Sequence, residues 1–347
     1  MSRLLSMGLV NTMPESHRAA AAQQQDKNMK TGFIGLGNVG SKLAGSLVRN
    51  GFDTVVHDAR REAAQALIDK GAGWADTPRQ VAELCDVVIT CLPSPLVCSE
   101  VMEGPDGVLN GLSEGKVWME MSTTDEAEVK RIGALVREKG AFPAECPVSG
   151  GCHRADTGNI SIFVGGDRET FEKVLPLTTT LGRRVLHTGP LGTASTLKVM
   201  TNYLATANLL TCCEALITMK AAGMDMATTY EAMKISSGTS FVHETESQLI
   251  LNGARDVNFT LDLILKDIGL FQTIAERNNV PLELSPMIID IMKDGQDRYG
   301  TRANTDEIIR RLEEATGLSV LAEGFPAELV DDEPEERGYE VVPPGPR

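Results

Sequence analysis

The sequence predicts an α/β protein: an N-terminal Rossmann doubly wound sheet followed by an all-α domain, joined by a long helix. Three observations carry this. Over residues 31–165, short β-rich runs ("TGFIGLG", "DTVVHD", "DVVITCLP", "KVWMEMS", "ISIFVGG") alternate with helical stretches such as "SKLAGSLVRNG" and "REAAQALIDKG". Such alternation builds a parallel sheet covered on both faces. Beyond Gly192 the β pattern stops, and "TLKVMTNYLATANLLTCCEALITMKAAGMD", "MATTYEAMKISSG", "TLDLILKDIGLFQTIAERNN" and "TDEIIRRLEEATG" read as helices. The change falls at "TGPLGTAS", where Gly and Pro punctuate the chain.

These marks divide the chain into four parts. Residues 1–28 contain the low-complexity "AAAAQQQDKN" and read as a disordered extension, because a strand start follows at Met29 and Lys30. Residues 29–191 form the α/β part, which opens on the glycine-rich "FIGLGNVG" expected to bind a dinucleotide, and 192–318 a helical part expected to hold substrate and build the oligomer. Residues 319–347 hold eight acidic residues against two arginines, with four prolines after Pro326. That composition reads as a solvated acidic tail, or one that packs on a partner subunit.

A net charge of -15 argues against nucleic acid or an anionic membrane as partner, since both demand basic surface. It leaves room for a small acidic substrate, which a few local cations can hold. The seven cysteines are odd in number, show no CxxC spacing and include the adjacent Cys212 and Cys213. They suggest neither a disulfide framework nor a metal site, and fit a reducing cytoplasm. No apolar run reaches the length of a membrane span.

"FIGLGNVG" places Gly35, Gly37 and Gly40 in GxGxxG spacing after an apolar strand and before a helix. The first glycine permits the tight turn, the second lets backbone approach a pyrophosphate, and the third lets helix and strand pack closely. Leu36, Asn38 and Val39 complete that loop. Asp58 ends the next strand, placed to accept hydrogen bonds from the ribose hydroxyls of NAD and to repel a 2′-phosphate. Arg60 and Arg61 follow it, and an arginine there can serve NADP; the balance favours NAD.

Further motifs fall at predicted strand ends or on the long helix. "CLPSP" (Cys91 to Pro95) and "MSTT" (Met121 to Thr124) sit at the carboxyl edge of the sheet, where ligands bind. "PVSGG" offers the Ser149 hydroxyl and the backbone N–H groups of Gly150 and Gly151, either a carboxylate nest or an ordinary polar turn. Lys198 is the one charge between Gly192 and Cys213, and Asn202 shares its helix face at i+4. An unpaired buried ammonium is removed, paired or used. Lys266 stands in "LDLILKDIGL", where Asp262 could pair with it on the surface.

Together, "GFIGLGNVG", "VVITCLP", "MEMST", "PVSGG", "KVMTN" and "LDLILKD" resemble the β-hydroxyacid dehydrogenase family, the group of 3-hydroxyisobutyrate dehydrogenase and tartronate semialdehyde reductase. The resemblance covers about residues 30–315. It implies hydride transfer between NAD and a small 3-hydroxy acid or its semialdehyde, while the largely apolar long helix suggests a homodimer or homotetramer built on the helical part. Lys198 would be the general acid/base and Asn202 would hold the substrate oxygen. Ser122 and Ser149–Gly151 would bind substrate, and Leu92, Pro93, Thr123 and Lys266 would touch or close over the cofactor. Two alternatives stand beside it: imine reduction on the same scaffold, whose members generally replace the lysine, and a non-catalytic cofactor-binding scaffold.

The sequence departs from the family's usual pattern at Glu145 (commonly Asp), at Glu126 (commonly Pro) and in "CHRADTGN" after Gly151. There His153 and Arg154 could form a double cation. Arg154 would either grip a second anionic group of the substrate or pair with Asp156 on the surface.

Overall fold

The computed structural model describes residues 29–344; the extension expected over 1–28 lies outside them. One sheet contains β1 (Thr31–Ile34), β2 (Thr54–His57), β3 (Gly73–Trp74), β4 (Val87–Thr90), β5 (Val117–Glu120), β6 (Phe142–Glu145), β7 (Val148–Ser149), β8 (Ile160–Gly165), β9 (Gly182–Gly189) and β10 (Tyr339–Val341). Their order is β10-β9-β8-β6-β5-β4-β1-β2-β3, with β7 beside β8. Pairing is parallel except where β8 runs antiparallel to β6 and β7. Strand order reverses at β1, so a ligand crevice opens at the carboxyl ends of β1 and β4.

Alternation along the strands sends neighbouring side chains to opposite faces. Phe33, Ile89 and Met119 pack with Leu43 and Leu47 of α1 (Asn38–Arg49) on one face. Ile34, Val88 and Trp118 pack on the other with Val81 of α2 (Pro78–Leu84), Met102 of α3 (Pro95–Glu103) and Ile132 of α4 (Glu126–Glu138). Two helices, α5 (Gly151–Asp156) and α6 (Arg168–Leu181), complete this half.

The long helix α7 (Thr193–Ala221) is held to the sheet by Glu145. This side chain, at the end of β6, accepts hydrogen bonds from Gly192 N (2.5 Å), Ala194 N (2.8 Å), Ser195 N (3.1 Å) and Ser195 Oγ (2.5 Å). A carboxylate from another element thus satisfies the first N–H groups of a helix that lacks a capping side chain of its own. Around α7 pack α8 (Met226–Lys234), α9 (Phe241–Asn252), α10 (Leu261–Arg277), α11 (Leu284–Tyr299) and α12 (Arg310–Thr316). Leu216, Ile250, Leu261, Ile268 and Met292 are central to their shared core. Among the described residues, no helix is long and apolar enough to cross a membrane.

The acidic tail differs from the solvated segment expected. Val320 is buried in the helical core, and Phe325 packs edge-on against Tyr230. The chain then crosses to the sheet, where β10 adds in parallel to β9. Its carboxylates meet basic groups of the same chain: Glu335 with Arg49 (2.9 Å), Glu336 with Arg183 (2.5 Å) and Glu340 with Arg168 (2.7 Å). Composition signalled charge but not complementarity. The tail is ordered because its acids face arginines of α1, α6 and β9 and its backbone completes a strand ladder.

Candidate active site

One cavity of about 660 Å³ runs between the two halves. Its floor is the crevice at β1 and β4. Gly35 turns with φ +96, and a Cβ on Gly40 would lie 2.1 Å from the Gly35 carbonyl oxygen. Gly37 faces open space, and no side chain caps α1. The loop therefore leaves both room and free N–H groups for a phosphate. Asp58 braces it, accepting from Leu36 N (2.8 Å) and Arg60 N (2.9 Å). Gly35, Gly37, Asn38, Val39, Gly40 and Asp58 line this end, as do Leu92 and Pro93. Leu36 is different: its side chain is buried in the sheet core and its N–H is spent on Asp58, so it supports the loop from below.

The middle of the cavity gathers Ser122, Thr123, Ser149, Gly150, Gly151, Lys198, Asn202 and Lys266 from separate elements. Ser122 is fixed twice, donating its N–H to Glu120 (2.7 Å) and accepting at Oγ from Leu92 N (2.7 Å). Glu120 also accepts from Thr90 Oγ1 (2.9 Å), which in turn accepts from Trp118 Nε1 (2.9 Å). This buried network ties the loops after β4 and β5 together.

Lys198 is 7% exposed, so its ammonium is withdrawn from bulk solvent. Nζ donates to Asn202 Oδ1 (2.7 Å), and Asn202 Nδ2 donates to Asp267 Oδ2 (2.5 Å). Asp267 pairs with Lys266 (2.7 Å), whose Nζ donates to the Thr123 carbonyl (2.6 Å). Burial lowers the Lys198 pKa to about 8; Asp267 opposes that shift and the Lys266 charge adds to it. The relay joins α7, α10 and the loop after β5. Lys266 thus reaches across the cleft, while Asp262 pairs with Arg302 (3.0 Å).

Two residues of the relay and its support, Asp267 and Glu120, escaped the sequence reading. Both are nearly fully buried, Glu120 in the apolar "VWMEMS" and Asp267 in "LDLILKDIGL", which also carries Asp262 and Lys266. For Glu120 the signal was a lone charge in an apolar strand; for Asp267 the adjacent Lys266 masked it.

Arg154 needs correction as a substrate ligand. Its guanidinium lies over the Phe241 ring (4.9 Å) and faces Asp331 (4.0 Å) and Glu333 (3.5 Å) of the tail, outside the cavity lining. Those carboxylates already neutralise it, and Asp156 pairs with Lys42 instead (3.2 Å). His153 does line the cavity. Burial, with the Arg154 charge beside it, lowers its pKa, which works against a double cation there.

A family model described as the NAD binding domain of 6-phosphogluconate dehydrogenase matches residues 30–189. A second, described as NAD-binding of NADP-dependent 3-hydroxyisobutyrate dehydrogenase, matches residues 192–312. The 2-(hydroxymethyl)glutarate dehydrogenase of Eubacterium barkeri is 31% identical, over 85% of this chain and 98% of its own. The chain belongs to the β-hydroxyacid dehydrogenase family. Among solved structures, the 3-hydroxyisobutyrate dehydrogenase of Salmonella typhimurium has the same fold, with TM-score 0.75 and 24% identity over 82% of this chain and 99% of its own. Psf3 in complex with NADP+ and 2-OPP gives TM-score 0.76 and 25% identity over 81% and 99%. An imine reductase of Myxococcus stipitatus shares the fold at TM-score 0.55 and 18% identity over 82% and 99%. For a β-hydroxyacid dehydrogenase, the open backbone at Gly37 and the uncapped α1 fit a nicotinamide dinucleotide.

Proposed function

We propose that this chain is an NAD-dependent dehydrogenase of small 3-hydroxy acids or their semialdehydes, with Lys198 as general acid/base. The observation that carries the reading is a buried ammonium, its pKa brought to about 8, held by Asn202 beside the Ser149–Gly151 loop. When bound, the dinucleotide supplies the hydride acceptor or donor. Lys198 in its neutral form takes the proton from the substrate hydroxyl; in the reverse direction its protonated form polarises the carbonyl and returns that proton to oxygen. A pKa near working pH makes both forms available. Asn202 orients Nζ, while Ser122 and the Ser149–Gly151 loop hold the acid group.

Asp58 favours NAD, because its carboxylate stands at the end of β2 with both oxygens fixed by backbone. Arg61 is engaged with Trp74 (5.1 Å) and Asp76 (3.8 Å). Imine reduction is disfavoured by the lysine itself, and a non-catalytic scaffold by the complete Lys198–Asn202–Asp267–Lys266 relay.

Mixing purified protein with NAD or NADP and a panel of 3-hydroxy acids, while following absorbance of the reduced cofactor, tests the reading. Turnover of at least one acid, faster with NAD, is expected. Reduction of cyclic imines alone, or cofactor binding with no turnover, contradicts it. The exposed Leu204 and Met219 of α7 and Leu284 and Met287 of α11 support a homodimer or homotetramer built on the helical half. A monomer mass by light scattering at micromolar concentration removes that part of the reading.

A further inference from the structure

The cavity continues past Lys198 into the helical half. It follows the α7 face carrying Asn202, Thr206 and Leu209, with Val242, Thr245 and Glu246 of α9 lining it as well. At about 1.5 Å of helical rise per residue, this face runs roughly 16 Å from Lys198 to Leu209. Beyond the relay, the charged lining groups from the helical half are Glu246 and Arg302, and Arg302 is paired with Asp262.

Glu246 is anomalous. Its Oε2 is buried and accepts no hydrogen bond from any described residue. Asp306, fully buried, has both carboxylate oxygens in the same state, and its charge acts on Glu246. The nearby cation, Arg255, is committed to Glu313 (2.6 Å) and Glu307 (3.6 Å). Cys212 and Cys213 are further titratable neighbours, and burial pushes both thiols up. Burial, reinforced by Asp306, raises Glu246 to about 8.

Glu246 is partly buried at the cavity wall, and a carboxylate with one buried, unpartnered oxygen carries a desolvation cost that pairing with a ligand's donor offsets. Burial also raises Asp306, to about 7, so its carboxylate contributes a partial negative charge at neutral pH, which attracts a cation and repels a second carboxylate. Among the described residues, no group of three or more His, Cys, Asp or Glu could hold a metal ion. That leaves a compact organic cation, whose N–H donors suit a carboxylate.

We propose that Glu246 is a specificity residue that selects hydroxy acids carrying an ammonium group at the far end over those ending in a second carboxylate. The acid group sits at the Ser149–Gly151 loop and the ammonium at Glu246, with the chain between them along α7. This rests on the cavity being a hydroxy-acid site, as assigned above. On binding, Glu246 gives its proton to the buffer and pairs with the ammonium.

Isothermal titration of the protein with NAD tests this without turnover. The probes are non-reacting ladders of ω-amino acids, monoacids and diacids of matched length. At the best chain length, the ω-amino acid is expected to bind about tenfold or more tightly than the monoacid, with the diacid weakest. Its binding enthalpy should vary with buffer ionisation enthalpy, reporting the released proton. Glu246→Gln, of equal size and checked for folding by its melting temperature, should reduce the preference to about threefold or less and abolish the proton release. A diacid binding as tightly as the ω-amino acid overturns the proposal, as does a preference that survives Glu246→Gln or an absence of binding throughout the ladders. Because these readouts are equilibrium ones, their failure is distinct from failure of the hydroxy-acid panel.

Discussion

Lys198 shows how one side chain's environment sets its chemistry. Burial destabilises the ammonium, Asp267 stabilises it, and Lys266 works against it again. The result is an amine that titrates near pH 8, well below an ordinary lysine. Oxidation of the hydroxy acid needs the neutral amine, so its kcat/KM should rise through about pH 8 and level off above. Reduction needs the ammonium, so it should fall over the same range. Asp267→Asn removes the charge that favours the ammonium, and the oxidation limb should move to lower pH. A limb unmoved by that change would separate Asp267 from the titration. Lys198 was legible because its neighbours carry no charge. Asp267 was not, because adjacent Lys266 and Asp267 look like an ordinary surface pair until the helix face is known. Arg154 misled because its partners, Asp331 and Glu333, lie far along the chain.

At the scale of elements, the account turns on how α7 is aimed. Glu145 holds the first N–H groups of the helix whose next turn carries Lys198. Glu145→Ala would leave those buried donors without an acceptor and cost about 2 kcal/mol or more. Chemical denaturation should show that loss, and kcat should fall with it because the amine loses its fixed direction. Unchanged stability would mean another group caps the helix. The central strands β1, β2, β4, β5 and β8 were readable as β-rich runs. Two others were not: β9 is the polar "GRRVLHTG", and the edge strand β10 has only three residues, placed by pairing rather than propensity. Helix α9 also hides in sequence. "FVHETESQLILN" is mixed in polarity because its faces meet a core, a cavity and solvent, although Ser240 caps it through His243 N (3.1 Å).

For the whole molecule, the C-terminal segment ties the helical half to the sheet. Val320 anchors one end, β10 the other, and Leu329 lines the cavity between them. Removing residues from Ser319 onward should lower the melting temperature by roughly 5 °C or more. It should also make the remaining stability less sensitive to salt, since ion pairs are screened by it. A truncated chain with an unchanged melting curve would show the strap to be energetically neutral. The two-part architecture was legible because hydrophobic period changes from strand to helix near Gly192. The strap was not, since acidic, proline-containing composition alone does not reveal a basic surface elsewhere on the same chain.

The claim beneath all three scales is that the Lys198 amine moves the proton. Replacing it by alanine and measuring NAD affinity alongside kcat on the best hydroxy acid tests this most directly. Cofactor affinity should stay within a few-fold while kcat drops by about 10²–10⁴-fold. Near-normal turnover with the lysine gone would contradict the account.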